Sequence, residues 1–496
     1  MGLATVVDEL RTLILSFHPI IIIETVEEER VQQVLQTLAP TIPLPLFEWS
    51  VTRGLVRLPC KVGRPLHGTT EPLLALGNMA EYRVEAIFCL QDFVPHLSDP
   101  QVARKLRELA RQFSQTRSTM ILTGASVTLP AELHDYAVRY TLPRADTQEL
   151  RQMVKAVLTS LKDRQPVKID LQPWQMEELL RALQGMTVNQ ARQALAHAIL
   201  VDGALSADDI PRILERKAQA IHAEGLLEYY PVTEPRMQLG GFQRLQAWMQ
   251  RAQMGFTPQA QALNLPAPKG ILLVGVQGCG KSLAAKVIAQ EWGMPLVKLD
   301  LGRLYDKYVG ESEKNLRRAL LLAASLAPVV LWVDELEKGV GSATDTDTGV
   351  SQRFLGTLLT WMQEKTQPVF IVATANDLTR LPPELLRKGR FDEIFFVDLP
   401  DEAERKQIWE IHLSYRKQQP SQFDLNQLVC ASEGFSGAEI EQVVVAGLYR
   451  ALYLRKALDT GLLLEELQQT IPLSVSRRED IEHLRQFAQG RFTPVR

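Results

Sequence analysis

Two kinds of apolar pattern alternate along this chain. Apolar blocks of strand length, interrupted only by threonine and glycine, occur at Ile20–Ile23, Ala86–Leu90, Thr119–Ala125, Ile271–Val274, Val329–Val333 and Val369–Ala375. Runs without a polar face are what strands inside a doubly covered parallel sheet require. Between and after them, apolar residues recur at three- and four-residue spacing around Gln148–Leu161, Trp174–Leu183, Ala191–Leu200, Phe242–Met254, Ser282–Trp292, Ile440–Leu454 and Ser476–Ala488, the period of half-buried helices. The alternation predicts an α/β fold. The longest early apolar stretch, Leu13 to Ile23, carries Ser16, His18 and Pro19 and stops at Glu24. It is too short to cross a bilayer and reads as a buried strand.

Composition narrows this picture only a little. A chain of 496 residues is too long for one ordinary core and predicts two to four domains. With 46% hydrophobic residues, 23% charged residues and a net charge of −3, nothing draws the whole chain towards nucleic acid. Asp8 and Glu9 precede the first apolar stretch and no small-residue cleavage site follows it, which argues against a secretory signal. Cys60, Cys89, Cys279 and Cys430 form no CxxC pair; they suit a reducing interior and give no structural-zinc pattern. None of the eight histidines lies in an H-E-x-x-H motif, which disfavours a metalloprotease.

The chemistry begins where the block Ile271–Val274 runs into Gly275-Val276-Gln277-Gly278-Cys279-Gly280-Lys281-Ser282. This is the G-x-x-x-x-G-K-[ST] spacing of a phosphate-binding loop. Its glycines let backbone N–H groups turn towards phosphate oxygens, Lys281 reaches the β/γ-phosphates, and Ser282 offers a hydroxyl to Mg²⁺. The helix predicted from Ser282 adds its N-terminal dipole. The strand Val329–Val333 then ends in two acids. Asp334 is suited to hold Mg²⁺, directly or through water, and Glu335 to orient and deprotonate the attacking water of ATP hydrolysis. The block Val369–Ala375 delivers Asn376, an amide able to bond that water or the γ-phosphate, or equally a turn former. Arg387 and Arg390 follow, either as solvated surface residues or as arginine fingers for a neighbouring subunit.

In combination these residues resemble the AAA+ ATPases, and within them the classical clade. The match comprises the phosphate loop, Asp334-Glu335, Thr374-Ala375-Asn376 as sensor 1 and Leu386-Arg387-Lys388-Gly389-Arg390-Phe391-Asp392 as the second region of homology. It covers roughly Val232 to Arg496. The resemblance implies a homo-oligomeric ring, usually of six subunits, with ATP at each interface and Arg387 and Arg390 acting in trans. Lys307-Tyr308-Val309-Gly310-Glu311-Ser312-Glu313 resembles the first pore loop, in which Tyr308 and Val309 would grip a threaded polypeptide; read without the family they are a buried pair at a loop. A second pore loop is expected near Gly341–Gly349, a Gly-, Thr- and Asp-rich stretch without a basic patch. Gly434–Ile440 resembles the sensor 2 region, with Gly437-Ala438 in place of a sensor arginine. Ser436 and Glu439 there form a capping box whatever the family. Val397-Asp398-Leu399-Pro400 would be the hinge to a helical lid. The Pro-rich stretch before Lys269-Gly270 would lie at the adenine side.

The first 230 residues repeat this order of elements without the loop. After Ile20–Ile23 stands Glu24-Thr25-Val26-Glu27-Glu28-Glu29-Arg30, whose carboxylates would repel a triphosphate. A strand ending in a single acid, Asp92, occupies the place of Asp334-Glu335; Asp92 alone reads as a turn or capping residue. Both halves then run from a buried strand to a Leu-Pro-x-Glu-Leu helix start and a Leu-Pro hinge: Leu129–Leu133 and Leu142-Pro143 in front, Leu381–Leu385 and Leu399-Pro400 behind. Ser206 and Asp209 are placed to cap a helix running towards Glu224. The front half thus reads as a degenerate AAA+-like domain, with an unrelated α/β domain as its rival.

The expected architecture is an AAA+ P-loop NTPase core with a helical lid, preceded by a degenerate AAA+-like α/β domain. The divisions fall at 1–145 (α/β), 146–231 (lid-like), 232–399 (nucleotide-binding core) and 400–496 (lid). This arrangement resembles little-characterised AAA proteins encoded in cyanobacteria and algal plastid genomes, which implies a cyanobacterial cytoplasm or plastid stroma. ATP and Mg²⁺ are the expected ligands, with a protein client of unknown identity. The function expected is ATP-driven remodelling or threading of that client by a ring, or alternatively an ATP-dependent switch or scaffold working through the front half. Nucleic acid is disfavoured as a partner by the lack of a strongly basic signature, and no spanning segment is expected.

Overall fold

In a computed structural model the chain is described except at residues 1, 59–65, 126, 164–165, 224, 231–237, 305–310, 341–347, 379 and 388. Tyr308, Val309, Lys388, most of the second loop expected at 341–349 and the boundary expected at 231/232 lie outside the described residues. Two compact units divide the chain at Arg216/Lys217.

The apolar blocks form strands because both sides of each sheet are covered. In unit 1 these are β1 (Ile20–Glu24), β2 (Leu46–Ser50), β3 (Gly54–Leu58), β4 (Ile87–Gln91), β5 (Thr119–Gly124) and β6 (Ala137–Tyr140). Alternate residues separate cleanly: Ile20, Ile22, Phe88, Leu90, Met120 and Leu122 join one core, while Ile21, Ile23, Ile87, Cys89 and Ile121 join the other. The spatial order is β3-β2-β4-β5-β1-β6, parallel throughout except for the β2/β3 hairpin. Helices Thr147–Lys162, Pro173–Leu183 and Val188–Asp202 follow, packed around Leu150, Leu179, Leu183 and Leu195. A two-stranded pair of β7 (Lys168–Asp170) and β8 (Ala204–Ser206) ties their connections. Ahead of the helix Asp209–Ala223, Asp209 accepts the Ser206 N–H at 2.8 Å, while the Ser206 hydroxyl accepts the N–H of Asp208 at 3.3 Å and not that of Asp209.

Unit 2 builds β9 (Leu227–Tyr230), β10 (Gly270–Gly275), β11 (Leu296–Leu299), β12 (Val329–Val333), β13 (Val369–Ala375), β14 (Glu393–Val397) and β15 (Thr493–Pro494). Their order is β15-β14-β10-β13-β12-β11-β9, with only β11/β9 antiparallel. Every position of β10, β12 and β13 is buried. Set beside unit 1, the order β2-β4-β5-β1-β6 repeats as β11-β12-β13-β10-β14, and each sheet carries one antiparallel edge strand on the same side. The internal duplication is therefore one of topology. A lid of helices including Glu402–Tyr415, Gly437–Leu454 and Thr460–Gln469 packs around Trp409, Phe435, Ile440 and Leu463.

Two local expectations are corrected. Leu13–Ile23 is not one strand: Leu13–Leu15 end a helix, Leu3–Leu15, whose Val6, Val7, Leu10 and Ile14 are buried at helical spacing. Phe17 then turns the chain at φ 59° before Pro19 and β1. The Leu-Pro-x-Glu-Leu segments do not start α-helices either. Ala131–Tyr136 is a 3₁₀ turn, and behind, Leu385 and Leu386 donate only to the carbonyls of Pro382 and Pro383. Proline favours a first helical turn, but Ala137 already enters β6 and Gly389, at φ 98°, turns the chain towards β14, so neither turn propagates.

Candidate functional site

The phosphate loop connects β10 to the helix Lys281–Trp292 through Val276–Gly280. Gly275 takes φ 139° with its Cα hydrogen side closed by the Val397 carbonyl; an added Cβ would stand 2.0 Å from that oxygen. Gly278, at φ 74°, has Ser436 Oγ 2.8 Å from where its Cβ would be. Glycine at both positions lets the loop pass beneath β14 and the lid. Lys281 begins the helix, buried, its Nζ donating to the carbonyls of Gly275 at 2.8 Å and Val276 at 2.7 Å. Burial pushes its ammonium down to about 8, opposed by the carboxylates of Glu337, Asp334 and Glu335. Burial likewise pushes the Cys279 thiol up to about 12.

The ends of β12 and β13 meet the loop. Ser282 Oγ donates to Asp334 Oδ1 at 3.0 Å. Val333 pairs with Ala373, which sets the next residues, Asp334 and Thr374, side by side; Thr374 Oγ1 donates to Asp334 Oδ1 at 2.7 Å and accepts the Glu335 N–H at 3.0 Å. Lys298 on β11 stands 3.6 Å from Asp334 Oδ2 and 4.5 Å above the Trp332 ring. Glu335 sits at φ 48°, a left-handed turn that carries its side chain off the strand line. Its Oε1 accepts from Asn376 Nδ2 at 3.1 Å and its Oε2 pairs with Lys338. The Asn376 N–H in turn bonds Glu337 Oε1 at 3.0 Å.

The cleft above this edge has a volume of about 1690 Å³. Leu239, Gly240 and Phe242 form one wall, the hinge Val397–Pro400 another, and Gly437-Ala438 the lid side. The Pro-rich stretch before Lys269 is not among the lining residues; Lys269 and Gly270 instead donate their N–H groups to Asp392, which anchors that stretch beside β14. The capping box is present at Ser436 and Glu439, and the Ala438 N–H donates to the Gly278 carbonyl at 2.9 Å, so the lid helix touches the phosphate loop directly. Gly275–Ser282, Asp334, Glu335 and Asn376 are thus gathered in one place. Arg387 is exposed and Arg390 half-buried, and neither lines the cleft. Thr374, which the sequence marks only as the first residue of the sensor 1 stretch, belongs to the site, and so do Lys298 and Glu337, which it does not mark. A hydroxyl inside the otherwise apolar β13 block was the local signal for Thr374 beside that resemblance, and nothing in spacing marked the other two.

The matching edge of unit 1 is differently furnished. Only Thr25, Val26 and Glu27 separate β1 from the helix Glu28–Leu38. Glu28 starts that helix where Lys281 starts its counterpart. Asp92 follows β4 at φ 48°, the angle of Glu335, its N–H bonded to the Thr123 carbonyl at 3.0 Å. Burial, then Asp92 and Glu48, raise the Glu28 carboxyl above its usual range. Glu27 accepts the Val188 N–H at 2.8 Å, at the start of the helix Val188–Asp202, and stands 3.7 Å from Arg30 and 3.5 Å from Arg144. Arg30, 4% exposed, also holds Glu149 at 3.0 Å and the Pro143 carbonyl. The chain's own carboxylate occupies the place where the second unit offers its loop to an anion.

Three family models match the chain. The family model described as ATPase family associated with various cellular activities matches residues 271–399. Models of the N-terminal and second domains of SpoVK-like AAA ATPases match residues 6–142 and 148–224. The chain is 37% identical over 476 residues to a protein of Trieres chinensis named uncharacterized AAA domain-containing protein ycf46, covering 94% of this chain and 93% of that one. A protein of the same name from Guillardia theta is 35% identical, covering 98% and 95%. The cell division cycle protein 48 homolog of Archaeoglobus fulgidus is 34% identical over 220 residues, covering 42% of this chain and 28% of its own length.

Proposed function

The chain belongs to the AAA family of ATPases, and from that premise we propose that it couples ATP hydrolysis to conformational remodelling of a protein partner as an oligomeric ring. One observation carries the reading: Lys281, Ser282, Asp334, Glu335 and Asn376 converge on a single sheet edge inside one cleft. The N–H groups of Gly275, Val276, Gln277, Gly278, Cys279 and Gly280 cradle phosphate, and Lys281 swings from its two carbonyls to the β/γ-phosphates. The oxygens of Ser282 and Asp334, 3.0 Å apart, form the hard donor set that Mg²⁺ prefers and would hold it. When bound, that ion supplies neutralisation of the charge developing on the phosphates. Glu335 takes the proton of the attacking water and Asn376 aligns it.

Arg387 and Arg390 lie away from their own cleft, which supports a role at a neighbour's nucleotide in a hexameric ring. Tyr308 and Val309 are read as the grip on a threaded client. A switch or scaffold is the second reading, favoured by the Glu27–Arg30–Arg144 cluster, which leaves unit 1 free of any need for nucleotide. The location read is a plastid stroma, which the algal relatives support, or a cyanobacterial cytoplasm. Among the described residues no helix is long and apolar enough to cross a membrane.

Glu335→Gln tests the central claim. Phosphate release should fall about 10²–10⁴-fold while fluorescent ATP still binds, and electron microscopy of the ATP-bound variant should show rings. Normal turnover in this variant would sink the assignment. Capture of clients by Glu335→Gln with and without Tyr308→Ala separates the two readings: threading requires Tyr308, a switch does not.

A further inference from the structure

Glu337 is a buried carboxylate next to the reacting edge with an unusual set of partners. It is 7% exposed and lies on the 3₁₀ turn Leu336–Val340 that follows Glu335. Its Oε1 accepts the Asn376 N–H at 3.0 Å, and its Oε2 is buried without a hydrogen-bond partner among the described residues. A carboxyl is costly to bury on one hydrogen bond alone, so the bond it does make is informative. We infer that Glu337 is a positioning residue of the hydrolytic edge, fixing the backbone of Asn376 so that the Asn376 carboxamide meets Glu335. The inference rests on the reading of this edge as the ATP-hydrolysing site.

Geometry carries the argument. Asn376 leaves β13 at the start of a turn, where the sheet no longer holds its N–H, and Glu337 supplies the missing acceptor. The Asn376 side chain springs from the same Cα and spans 3.1 Å to Glu335 Oε1. Glu335 and Glu337 stand on one short turn, locked by the Lys338 N–H bonding the Glu335 carbonyl at 2.8 Å. The result is a closed ring: the turn grips the Asn376 main chain with one acid, and the Asn376 side chain returns to the other. Loss of the Glu337 acceptor leaves a peptide N–H unbonded and frees Asn376 to shift, and a displacement of about 1 Å at a reacting edge costs on the order of 10²-fold in rate.

The test is steady-state ATP hydrolysis by the full chain with Glu337→Ala, Glu337→Gln, Asn376→Ala and the double variant Glu337→Ala/Asn376→Ala, beside wild type and Glu335→Gln. Glu337→Ala should lower kcat about 10- to 100-fold, the scale of groups that orient those touching the reaction, with fluorescent ATP binding within about threefold of wild type. Glu337→Gln keeps an acceptor at the same reach and should recover most of that loss. The double variant should be no slower than Asn376→Ala, because the two residues act as one unit. Wild-type kcat in Glu337→Ala, a Gln variant as slow as the Ala variant, or losses that multiply in the double variant each overturn the inference. If Glu337→Ala fails to fold, Glu337→Met, which keeps the side-chain volume and removes the acceptor, carries the same cycle: a loss against wild type with no further loss in the Asn376→Ala background supports the inference, and an equal loss in both backgrounds overturns it. Absence of hydrolysis by wild type, or full activity of Glu335→Gln, overturns the site reading itself and is told apart from the outcomes above.

Discussion

Thr374 Oγ1 lies 2.7 Å from Asp334 Oδ1, and the same hydroxyl receives the Glu335 N–H at 3.0 Å. One buried hydroxyl therefore holds both acids at the end of β12 through the neighbouring strand. Thr374→Val preserves shape and removes both bonds. The expected cost is about 1–3 kcal/mol of stability from the Glu335 N–H left unpaired and from one bond lost at Asp334, which keeps Ser282 and Lys298, with a fall of about tenfold or more in kcat as Asp334 and Glu335 lose their register. Thermal unfolding and phosphate release on the same preparation check both.

Gly278 links the phosphate loop to the lid. Its carbonyl accepts the Ala438 N–H, and a Cβ there would stand 2.8 Å from Ser436 Oγ. Gly278→Ala must displace the N-cap of the helix Gly437–Leu454 or distort a residue already at φ 74°. ATP affinity should drop by at least about tenfold, measured by fluorescent-nucleotide titration. Gly293→Ala also has positive φ but open space around its Cβ, so it strains the backbone without moving the lid and should leave affinity near wild type.

How much of this was readable beforehand follows from which physics each element uses. β1, β4, β5, β10, β12 and β13 are central strands buried on both faces, and their apolar runs announce them. β6 reads Ala137-Val138-Arg139-Tyr140 and is only partly buried, while β15 is two residues that become a strand because Thr493 pairs with Phe395. Such edge elements are made by partners distant in sequence, so no local pattern marks them. The loop, Asp334, Glu335 and Asn376 were legible because fixed spacing encodes a loop geometry and strand ends encode a shared edge. Glu337 was not, since its burial is decided by one N–H from a strand 39 positions away. Asp92 was legible as a turn residue, but its sharing of φ 48° with Glu335 is visible only in three dimensions.

In unit 1 the cluster of Glu27, Arg30, Arg144 and Glu149 ties the helix after β1 to the helices that follow β6. Glu27 and Arg30 are 8% and 4% exposed. Removing one member of a buried ion cluster leaves opposite charge uncompensated, which costs about 3–5 kcal/mol. Glu27→Ala should therefore lower the unfolding midpoint of the front unit, seen as faster amide exchange across residues 6–216. Added ATP should not restore it, because Glu28 and the short Thr25–Glu27 loop give triphosphate no cradle. Recovery by ATP would show that the front edge binds nucleotide after all.

Lys217 offers a test through pH. Its side chain is 2% exposed, and its Nζ lies 5.5 Å from the centre of the Tyr229 ring, with no ion pair among the described residues. Burial pushes its ammonium from an ordinary 10.5 down to about 7. Between those values the unfolded chain holds a proton that the folded chain has released, so stability rises with pH across that window. Below about 7 both states are protonated and the full penalty of a buried charge applies; above about 10.5 both are neutral. Lys217→Met keeps the length of the side chain and removes the charge. At pH 6.5 it should raise the unfolding temperature, and an effect of ~1 kcal/mol shifts a unit as large as Lys217–Arg496 by about 2 °C or slightly less. The advantage should shrink steadily from pH 7 towards pH 10, since the contributions of all other titrating groups cancel in the difference between variant and wild type. An advantage constant with pH would mean that Lys217 remains charged in the folded chain, stabilised by the Tyr229 ring face.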